Sequence, residues 1–239
     1  MRTQTLLYDG FQRCPYLPGQ VARLPLYLQR ARLSTEQADA AFAAGERRSG
    51  RSLYRTACPT CTACQPLRVR VADFVASKSQ ERVLRRWEGQ SRVEIGPPLV
   101  TDAHLTLFNR HKQERGLAEP DEAEFGAEDY RAWLVNSCLP TEEMRYYVGD
   151  RLVGVGIVDV GATALSSVYF YFDPDREVSR LSPGVYSVLQ EIAYARRTGR
   201  EHLYLGLYVK DSRHLSYKGD YRPHERLIDG DWRGVDTDG

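Results

Sequence analysis

Two segments near the middle of the chain carry apolar residues at helical spacing, which predicts two amphipathic helices. Residues 77–90 follow a capping serine, either Ser77 or Ser79, and residues 101–115 start at Thr101 as the cap. The apolar positions of the two segments are Val83, Leu84, Trp87, Leu105 and Phe108. We expect these side chains to face the core and the intervening charged residues to face solvent.

A third helix is predicted from Ser182 to Gly199. Ser182 is the expected N-cap, Pro183 suits the first helical turn, and Gly199 suits the stop. The apolar face of this segment consists of Val185, Val188, Leu189, Ile192 and Ala193.

Other segments of the second half alternate between polar and apolar residues, as strands do. Residues 145–148 and 151–160, joined by a Gly-Asp turn, predict a hairpin, and further strands are predicted at 165–172 and 202–209. The resulting order of hairpin, strand, helix and strand predicts an α+β fold. It resembles the core order of the Gcn5-related N-acetyltransferases, an order that other α+β folds share.

Length and composition indicate a globular chain, because 42% of its 239 residues are hydrophobic. The first residues lack a basic segment leading into an apolar run, and no run of about 18 residues is apolar enough for a membrane span. We therefore expect a cytoplasmic protein with no membrane partner. In a reducing compartment its five cysteines are expected to be thiols or metal ligands, not disulfides.

The net charge of +1 conceals a strong asymmetry. Residues 1–92 carry 16 Lys and Arg against 7 Asp and Glu, and the remainder carries 17 against 25. The first part, at +9, suggests a polyanion such as nucleic acid, and the second, at −8, a cationic or amine-bearing partner. Alternatively, the two halves dock on each other. Residues 119–129 hold six carboxylates and predict a solvated loop.

Both central helices present basic side chains that suit a phosphate-binding surface. The alternative is that they form ordinary solvated helix faces. The candidate phosphate-binding residues are Lys78, Arg82, Arg85, Arg86, Arg110 and Lys112.

Four cysteines lie within the first 64 residues, as Cys14 and the run Cys58, Cys61 and Cys64. Four thiolates suit a tetrahedral zinc ion or an iron–sulfur cluster. The spacing supports this only in part, since structural zinc usually pairs two separated C-x-x-C knuckles, and the alternative is buried reduced thiols. Cys138 is expected to lie in the core.

Several longer motifs resemble the aminoacyl-tRNA–protein transferases, in the same order along the chain. The N-terminal motifs are Cys14-Pro-Tyr-Leu-Pro-Gly-Gln20, Arg47-Arg48-Ser-Gly50, Tyr54-Arg55, the cysteine run and Ser77-Lys-Ser-Gln80. The C-terminal motifs are Ser166-Ser-Val-Tyr-Phe-Tyr-Phe-Asp-Pro174, Tyr204-Leu-Gly206, Asp211-Ser-Arg213, Tyr217-Lys218 and Tyr221-Arg-Pro223. The bacterial aspartate/glutamate leucyltransferases fit better than the eukaryotic arginyltransferases, because Cys14 stands alone where the latter have paired cysteines.

The resemblance implies transfer of an amino acid from its tRNA ester to the α-amino group of a protein with an acidic N-terminus, which creates an N-degron. It also implies an acetyltransferase-like catalytic domain, which we predict over residues 96–239, behind a basic, cysteine-containing N-terminal domain over residues 1–95. The partners would be aminoacyl-tRNA and acidic protein N-termini, and the six basic residues of the two helices would contact tRNA.

The chemistry requires no cofactor, since the ester is already activated and an α-amine has a pKa of about 7.7 to 8.0. It requires positioning, stabilisation of an oxyanion and a route for the proton. Alternation in strand 165–172 places Tyr169 and Tyr171 on its polar face, opposite Val168, and these tyrosines are candidates to contact the oxyanion or amine. Asp173, at the end of the strand, is a candidate to hold an ammonium group.

An acidic substrate side chain requires a fixed cation. Lys218 and Arg222, with Arg213 and Tyr217 nearby, are our candidates to bind the protein substrate. The donor amino acid stays open between leucine, which needs an apolar pocket, and arginine, which needs a carboxylate. The candidate carboxylates for arginine are Asp159, Asp173 and Asp211.

Two other functions stay open. One is an acyl-CoA-dependent N-acetyltransferase. The turn Arg180-Leu-Ser-Pro-Gly184 speaks against it, because this turn lacks the full glycine-rich pattern that binds the CoA pyrophosphate. The other is a non-catalytic, metal-stabilised RNA-binding module, which would leave the acidic half unexplained.

Overall fold

The computed structural model describes residues 3–117 and 123–235. Within these ranges the strands are β1 (Gln4–Tyr8), β2 (Phe11–Arg13), β3 (Val21–Arg23), β4 (Leu26–Gln29), β5 (Arg47–Ser49), β6 (Ser52–Tyr54), β7 (Gln65–Arg70), β8 (Ser91–Gly96), β9 (Thr141–Val148), β10 (Arg151–Val160), β11 (Ala164–Phe172), β12 (His202–Tyr208), β13 (His224–Ile228) and β14 (Asp231–Val235).

The helices are α1 (Thr35–Ala43), α2 (Lys78–Trp87), α3 (Asp102–Glu114), α4 (Ala127–Tyr130), α5 (Arg176–Ser179) and α6 (Pro183–Arg197). A π-helix follows α4 at Arg131–Val135, and a 3₁₀ helix lies at Ser216–Asp220. None of the helices in the described part combines the length and the apolar character that crossing a bilayer requires.

An eight-stranded mixed sheet forms the body of the molecule, in the order β14-β13-β7-β12-β11-β10-β9-β8. Every neighbouring pair is antiparallel except β11 and β12, which are parallel. A parallel pair requires a crossover connection, and α6 lies in the segment that joins these two strands.

Helices cover both faces of this sheet. On one face α2 packs against α6, where the Trp87 and Tyr186 rings stack at 4.3 Å and the Trp87 indole donates to the Leu181 carbonyl at 2.8 Å. On the other face α3 packs against β10 and β11, and Phe108 meets Tyr171 edge-on at 5.3 Å. The sheet therefore lies between two separate hydrophobic clusters.

The N-terminal part forms a four-stranded sheet in the order β1-β4-β6-β5 and a two-stranded sheet of β2 and β3. Helix α1 buries Ala38, Ala41 and Phe42 in a third cluster with Leu53 of β6 and Tyr204 of β12. The following strand, β7, lies in the middle of the large sheet, between β13 and β12. The division into residues 1–95 and 96–239 stays a prediction.

The predicted helices are confirmed, with shorter ends. Helix α2 begins after Ser77, whose hydroxyl accepts from the Gln80 amide in a capping box, and α3 begins after Thr101. Ser182 is the N-cap residue of α6, as predicted. Its backbone is left-handed at φ 58, and no side-chain cap bond forms. Cys138 is buried, as expected.

The predicted hairpin and the two later strands are also confirmed, but the alternation assigned to β11 is wrong. The pairing register with β10 shifts at Val168, because Ile157 pairs with Tyr169 while Val158 pairs with Ser167. This bulge puts Val168 and Tyr169 in the same cluster beneath α3. The acidic stretch lies in part outside the described residues. Its later part enters α4.

Candidate active site

Strands β11 and β12 are paired over only three residue pairs, which end at Ser166 and Tyr204. Beyond this point β11 continues beside β10 and β12 continues beside β7. Gly206, at φ 79, lies where the register of β12 with β7 shifts. The two strands therefore separate and leave a cleft in the large sheet, which we call the splay cleft.

Arg47 projects from β5 into the splay cleft. Its guanidinium donates to the Ser167 carbonyl at 3.5 Å and lies against Gly206, where a methyl group would overlap it. The next residue, Arg48, points the opposite way, as successive residues of a strand do. Arg48 forms a buried ion pair with Asp159 at 2.8 Å and donates to the Trp133 and Leu134 carbonyls. The two arginines of one motif thus have different surroundings.

Lys218, from the 3₁₀ helix, is the second cation of the splay cleft. Its ammonium group is buried and donates to the Leu207 carbonyl of β12 at 2.9 Å. Burial, with a further contribution from the charge of Arg47, lowers the pKa of Lys218 to about 7. The lysine is therefore close to half-neutral at neutral pH.

Glu191, from α6, lies at the floor of the splay cleft and is fully buried. Its Oε1 atom accepts from the Ser167 hydroxyl at 3.3 Å and from the Ser187 hydroxyl at 3.4 Å. Its Oε2 atom has no hydrogen-bond partner among the described residues. Burial raises the pKa of Glu191 to about 8, so the carboxyl group retains its proton at neutral pH.

A cavity of about 760 Å³ opens at the N-terminus of α6. Three elements form its walls: helix α2, the start of α6 at Ser182 and Val185, and the 3₁₀ helix with the residues after it. It brings together Arg82, Arg86, Tyr217 and Arg222, four residues that the sequence analysis selected. We call this the α6 cavity.

A second cavity, of about 430 Å³, is lined by Arg47 together with Val168 and Tyr169 of β11. The other lining residues are Tyr8, Gln12, Leu24, Leu26, Arg48, Ser49, Tyr54 and Trp133. Most of this surface is aromatic or aliphatic, and no Asp or Glu lines it. We call this the Arg47 cavity.

Comparison with known proteins accounts for nearly the whole chain. Residues 12–82 match the family described as the N terminus of arginine-tRNA-protein transferase, and residues 103–228 match its C terminus. An aspartate/glutamate leucyltransferase from Thiobacillus denitrificans is 35% identical, over 98% of this chain and 94% of that protein. Another from Halorhodospira halophila is 36% identical, over 96% of each.

The chain belongs to the aminoacyl-tRNA–protein transferase family. The resemblance drawn from the sequence motifs is confirmed, and the protein is an enzyme that transfers an amino acid from aminoacyl-tRNA to a protein N-terminus.

Among solved structures, the transferase is similar to the C-terminal domain of a protein described as a lysylphosphatidylglycerol synthetase from Agrobacterium fabrum. The TM-score is 0.51 at 12% identity, over 72% of this chain and 58% of that one. This likeness concerns the fold alone, and it agrees with a mixed α/β structure built on a large sheet.

The candidate catalytic tyrosines of the transferase do not lie on a polar face. Helix α3 and the π-helix cover that side of β11, so Tyr171 is fully buried and shares a hydrogen bond of 2.6 Å with the Tyr130 hydroxyl. Burial raises the pKa of Tyr171 well above its ordinary value. Tyr169 is half-buried, packs on Trp133 and borders the Arg47 cavity. Their catalytic roles stay predictions.

Asp173 is buried at the end of β11 and already paired with cations. Arg110 donates to one oxygen of its carboxylate at 3.2 Å, and Arg151 donates to the other. Asp159 is paired with Arg48 and also accepts from Thr141 at 2.7 Å.

The candidate substrate-binding residues separate into two environments. Lys218 lies in the splay cleft, and Tyr217 and Arg222 line the α6 cavity. Arg213 is exposed outside both.

The candidate tRNA-binding residues also separate, because α2 and α3 cover opposite faces of the sheet. On α2, Arg82 and Arg86 line the α6 cavity, whereas Lys78 and Arg85 do not. On α3, Arg110 pairs with Asp173 and Asp175, and the Lys112 ammonium lies 4.4 Å from the centre of the Phe125 ring. The structure does not bring the two sets onto one face.

The four N-terminal cysteines lie near one another without forming a ligand set. Cys14 accepts from the Tyr16 and Leu17 amides at 3.4 Å each. Burial, followed by the nearby Cys14, Cys58 and Cys61, raises the pKa of Cys64 to about 12. Among residues 3–117 and 123–235, however, no three His, Cys, Asp or Glu side chains are arranged to hold a metal ion.

Sequence reasoning missed two residues of the splay cleft, Arg47 as a separate functional residue and Glu191. Glu191 had a detectable signal, because a carboxylate between Val188 and Ile192 interrupts the apolar face of a helix. For Arg47 the only signal in the sequence was its place in the motif Arg47-Arg48-Ser-Gly50. Alternation along β5 distinguishes it from Arg48 only once the strand is known.

Proposed function

We propose that the splay cleft transfers leucine from Leu-tRNA to the α-amino group of proteins that begin with Asp or Glu. The two curated relatives quoted above carry the name aspartate/glutamate leucyltransferase. The observation that carries the proposal is the separation of β11 from β12, which places Arg47, Glu191 and Lys218 around one gap. Arg47 also lines the Arg47 cavity, and Tyr217, next to Lys218, lines the α6 cavity. A leucine added to such an N-terminus would mark the protein for degradation.

We further propose that the catalytic part is Gcn5-related N-acetyltransferase-like, with the cysteine-containing residues 1–95 as an N-terminal domain. The hairpin β9–β10, strand β11, helix α6 and strand β12 follow one another in that order and end in a parallel pair that separates. Because its donor is an aminoacyl-tRNA, we also propose a cytoplasmic location.

The α6 cavity is the proposed site of the tRNA 3′ end. Helix N-termini favour anions, and the three arginines of this cavity, Arg82, Arg86 and Arg222, outnumber its single carboxylate, Asp220. The Arg47 cavity is the proposed site of the protein N-terminus, because its lining contains cations and no carboxylate. The ester carbonyl and the attacking amine would then meet in the splay cleft from opposite sides.

In the proposed reaction the neutral α-amine attacks the ester carbonyl carbon, a peptide bond forms, and the bond from that carbon to the ribose oxygen breaks. The attacking nitrogen loses one proton, and the departing ribose oxygen gains one. Glu191 is our candidate to exchange this proton through the Ser167 hydroxyl, which connects it to the cleft. Lys218 is a second candidate, because its pKa of about 7 allows it both to give and to accept a proton.

The α6 cavity contains one carboxylate, Asp220, so the choice of leucine as the donor rests on the relatives quoted above. Of the carboxylates that the sequence suggested for an arginine donor, Asp159 and Asp173 are both already paired with arginines of the chain. Asp211 is exposed and outside both cavities.

A transfer assay tests the proposal directly. Radiolabelled Leu-tRNA and Arg-tRNA are each offered with peptides that differ only in an N-terminal Asp, Glu, Lys or Ala. We expect label from Leu-tRNA to move to the Asp and Glu peptides only. Transfer from Arg-tRNA alone would show that the donor amino acid is arginine and not leucine. Acetylation by acetyl-CoA, with no transfer from either tRNA, would show that the protein is an acetyltransferase.

We also propose that Cys14, Cys58, Cys61 and Cys64 close around a zinc ion or an iron–sulfur cluster. Support comes from the proximity of the four thiols and from the two amides that donate to the Cys14 sulfur, a pattern that stabilises a thiolate. Such a group would stabilise the N-terminal part and would take no part in the transfer. Metal analysis and an absorption spectrum of anaerobically purified protein test this. Stoichiometric absence of zinc and iron would leave four packed thiols.

A further inference from the structure

We propose that Arg47 binds the side-chain carboxylate of the substrate's N-terminal Asp or Glu and thereby sets the acceptor specificity. This inference rests on the proposed function and assigns the acidic-residue subsite to a residue that the sequence analysis did not select.

Arg47 is a half-buried cation without an anion. No carboxylate in residues 3–117 or 123–235 lies within ion-pair distance of it, and its one hydrogen bond is the long contact with the Ser167 carbonyl. Other partly buried arginines of the sheet are paired, Arg68 with Glu225 at 2.6 Å and Arg145 with Glu143 at 3.0 Å. An unpaired guanidinium in a cavity is unfavourable until an anion arrives.

A second positive charge, that of Lys218, lies near Arg47. The ammonium group of Lys218 lies close enough to Arg47 for the two positive charges to disfavour each other. A carboxylate bound at Arg47 would relieve this repulsion, because it would interact favourably with both cations. The splay cleft is thus electrostatically prepared for one negative group.

The cavity beside Arg47 suits a substrate residue in both shape and chemistry. The Arg47 cavity has a volume of about 430 Å³ and a mainly apolar lining that includes Leu26, Trp133 and Val168. Ligand sites commonly combine such a lining with a few polar groups that fix the orientation. Arg47 offers the planar two-pronged donor that fits a carboxylate, and Arg48, the other arginine that lines this cavity, is already paired with Asp159.

Arg47 also lies close to the proposed site of the reaction. Arg47 contacts the Ser167 carbonyl, and the hydroxyl of the same serine donates to Glu191, our candidate for the proton. In an N-terminal Asp or Glu the α-amino nitrogen is only a few bonds from the side-chain carboxyl carbon. Binding of the carboxylate by Arg47 would therefore hold the α-amino group close to Ser167 and Glu191. Recognition of the substrate side chain and positioning of its amine are therefore linked through Ser167 of β11, which contacts both Arg47 and Glu191.

The test uses isosteric peptide pairs, Asp against Asn and Glu against Gln at the N-terminus, with wild-type and Arg47→Gln protein and Leu-tRNA. We expect the wild-type preference for the acid over the amide, measured as kcat/KM, to fall about 10- to 100-fold in Arg47→Gln, mostly through KM for the acidic peptide. Arg47→Lys retains the positive charge but lacks the two-pronged guanidinium. Its preference for the acid over the amide should lie between those of wild type and Arg47→Gln.

Arg30→Gln is the matched control, because Arg30 is an exposed arginine of the same N-terminal part that donates to Thr5. It should leave the preference unchanged. Circular dichroism establishes that each variant is folded, and if Arg47→Gln does not fold, Arg47→Lys carries the test alone.

An unchanged acid-over-amide preference in a folded, active Arg47 variant would overturn the assignment. Failure of the proposed function itself looks different, because wild-type protein would then transfer no leucine to the acidic peptides. Equal loss of activity towards acidic and amide peptides would also contradict the proposal, since it would indicate a general structural role.

Discussion

The guanidinium of Arg47 lies against the backbone of Gly206, at the point where the two parallel strands of the sheet separate. The contact joins β5 of the small N-terminal sheet to β12 of the large sheet. A side chain at position 206 would occupy the space of the guanidinium. Glycine is therefore required at position 206 for two reasons: it permits the left-handed backbone, and it leaves space for the Arg47 guanidinium.

Gly206→Ala should destabilise the protein and displace Arg47. The positive φ of Gly206 alone costs about 1 to 2 kcal/mol for an L residue, and the overlap with the guanidinium adds to that cost. Gly199→Ala is the control, because Gly199 has a similar φ of 72 and nothing within 4 Å of an added methyl. Urea denaturation should show a larger loss for Gly206→Ala, and only this variant should lose preference for acidic peptides. Equal effects in the two variants would mean that Arg47 moves aside without cost.

Glu191 should make stability fall as pH rises. Its pKa is raised from 4.5 to about 8, so between these values the folded state holds a proton that the unfolded state has lost. The free energy of unfolding therefore decreases with pH, by about 1.4 kcal/mol per unit within that window for this group alone. Glu191→Gln removes the titration, and the difference between variant and wild type should grow with pH.

The comparison is best made by urea denaturation between pH 5 and 7. Above pH 7 Lys218 contributes the opposite slope, because its pKa is lowered from 10.5 to about 7 and the unfolded state then binds more protons. A difference between wild type and Glu191→Gln that does not change across pH 5 to 7 would show that the carboxyl is ionised in the folded protein.

Arg48 should matter for stability and not for specificity. Arg48→Met leaves the buried Asp159 carboxylate without its cation, and loss of one partner of a buried pair typically costs about 3 to 5 kcal/mol. The exposed pair of Arg23 and Asp9 is the control, since Arg23→Met should cost far less than Arg48→Met. Chemical denaturation measures both. The double variant Arg48→Met/Asp159→Asn should recover part of the loss, and no recovery would mean that the arginine acts mainly through the Trp133 and Leu134 carbonyls.

The sequence predicted the elements well where local periodicity and caps decide them. The Ser77 capping box and the hairpin between β9 and β10 are examples. It failed at Val168, because a bulge depends on the register with a neighbouring strand, and it assigned Tyr171 to a polar face because the helix that covers it lies elsewhere in the chain. The splay cleft could not be predicted at all. Arg47 and Ser167 are 120 residues apart, and nothing local to either indicates their contact.

Basic residues of α2 should contribute more to tRNA binding than those of α3. Arg82 and Arg86 line the α6 cavity, whereas Arg110 is already neutralised by Asp173 and Asp175. Each phosphate contact adds about 0.7 to 0.9 to the slope of log affinity against log salt. Arg82→Gln and Arg86→Gln should each lower that slope by about this amount, and Arg110→Gln should lower it less, in filter binding of tRNA between 50 and roughly 200 mM salt. An equal loss for Arg110→Gln would require tRNA to reach both faces of the sheet, and the α6 cavity would then be only one part of its binding surface.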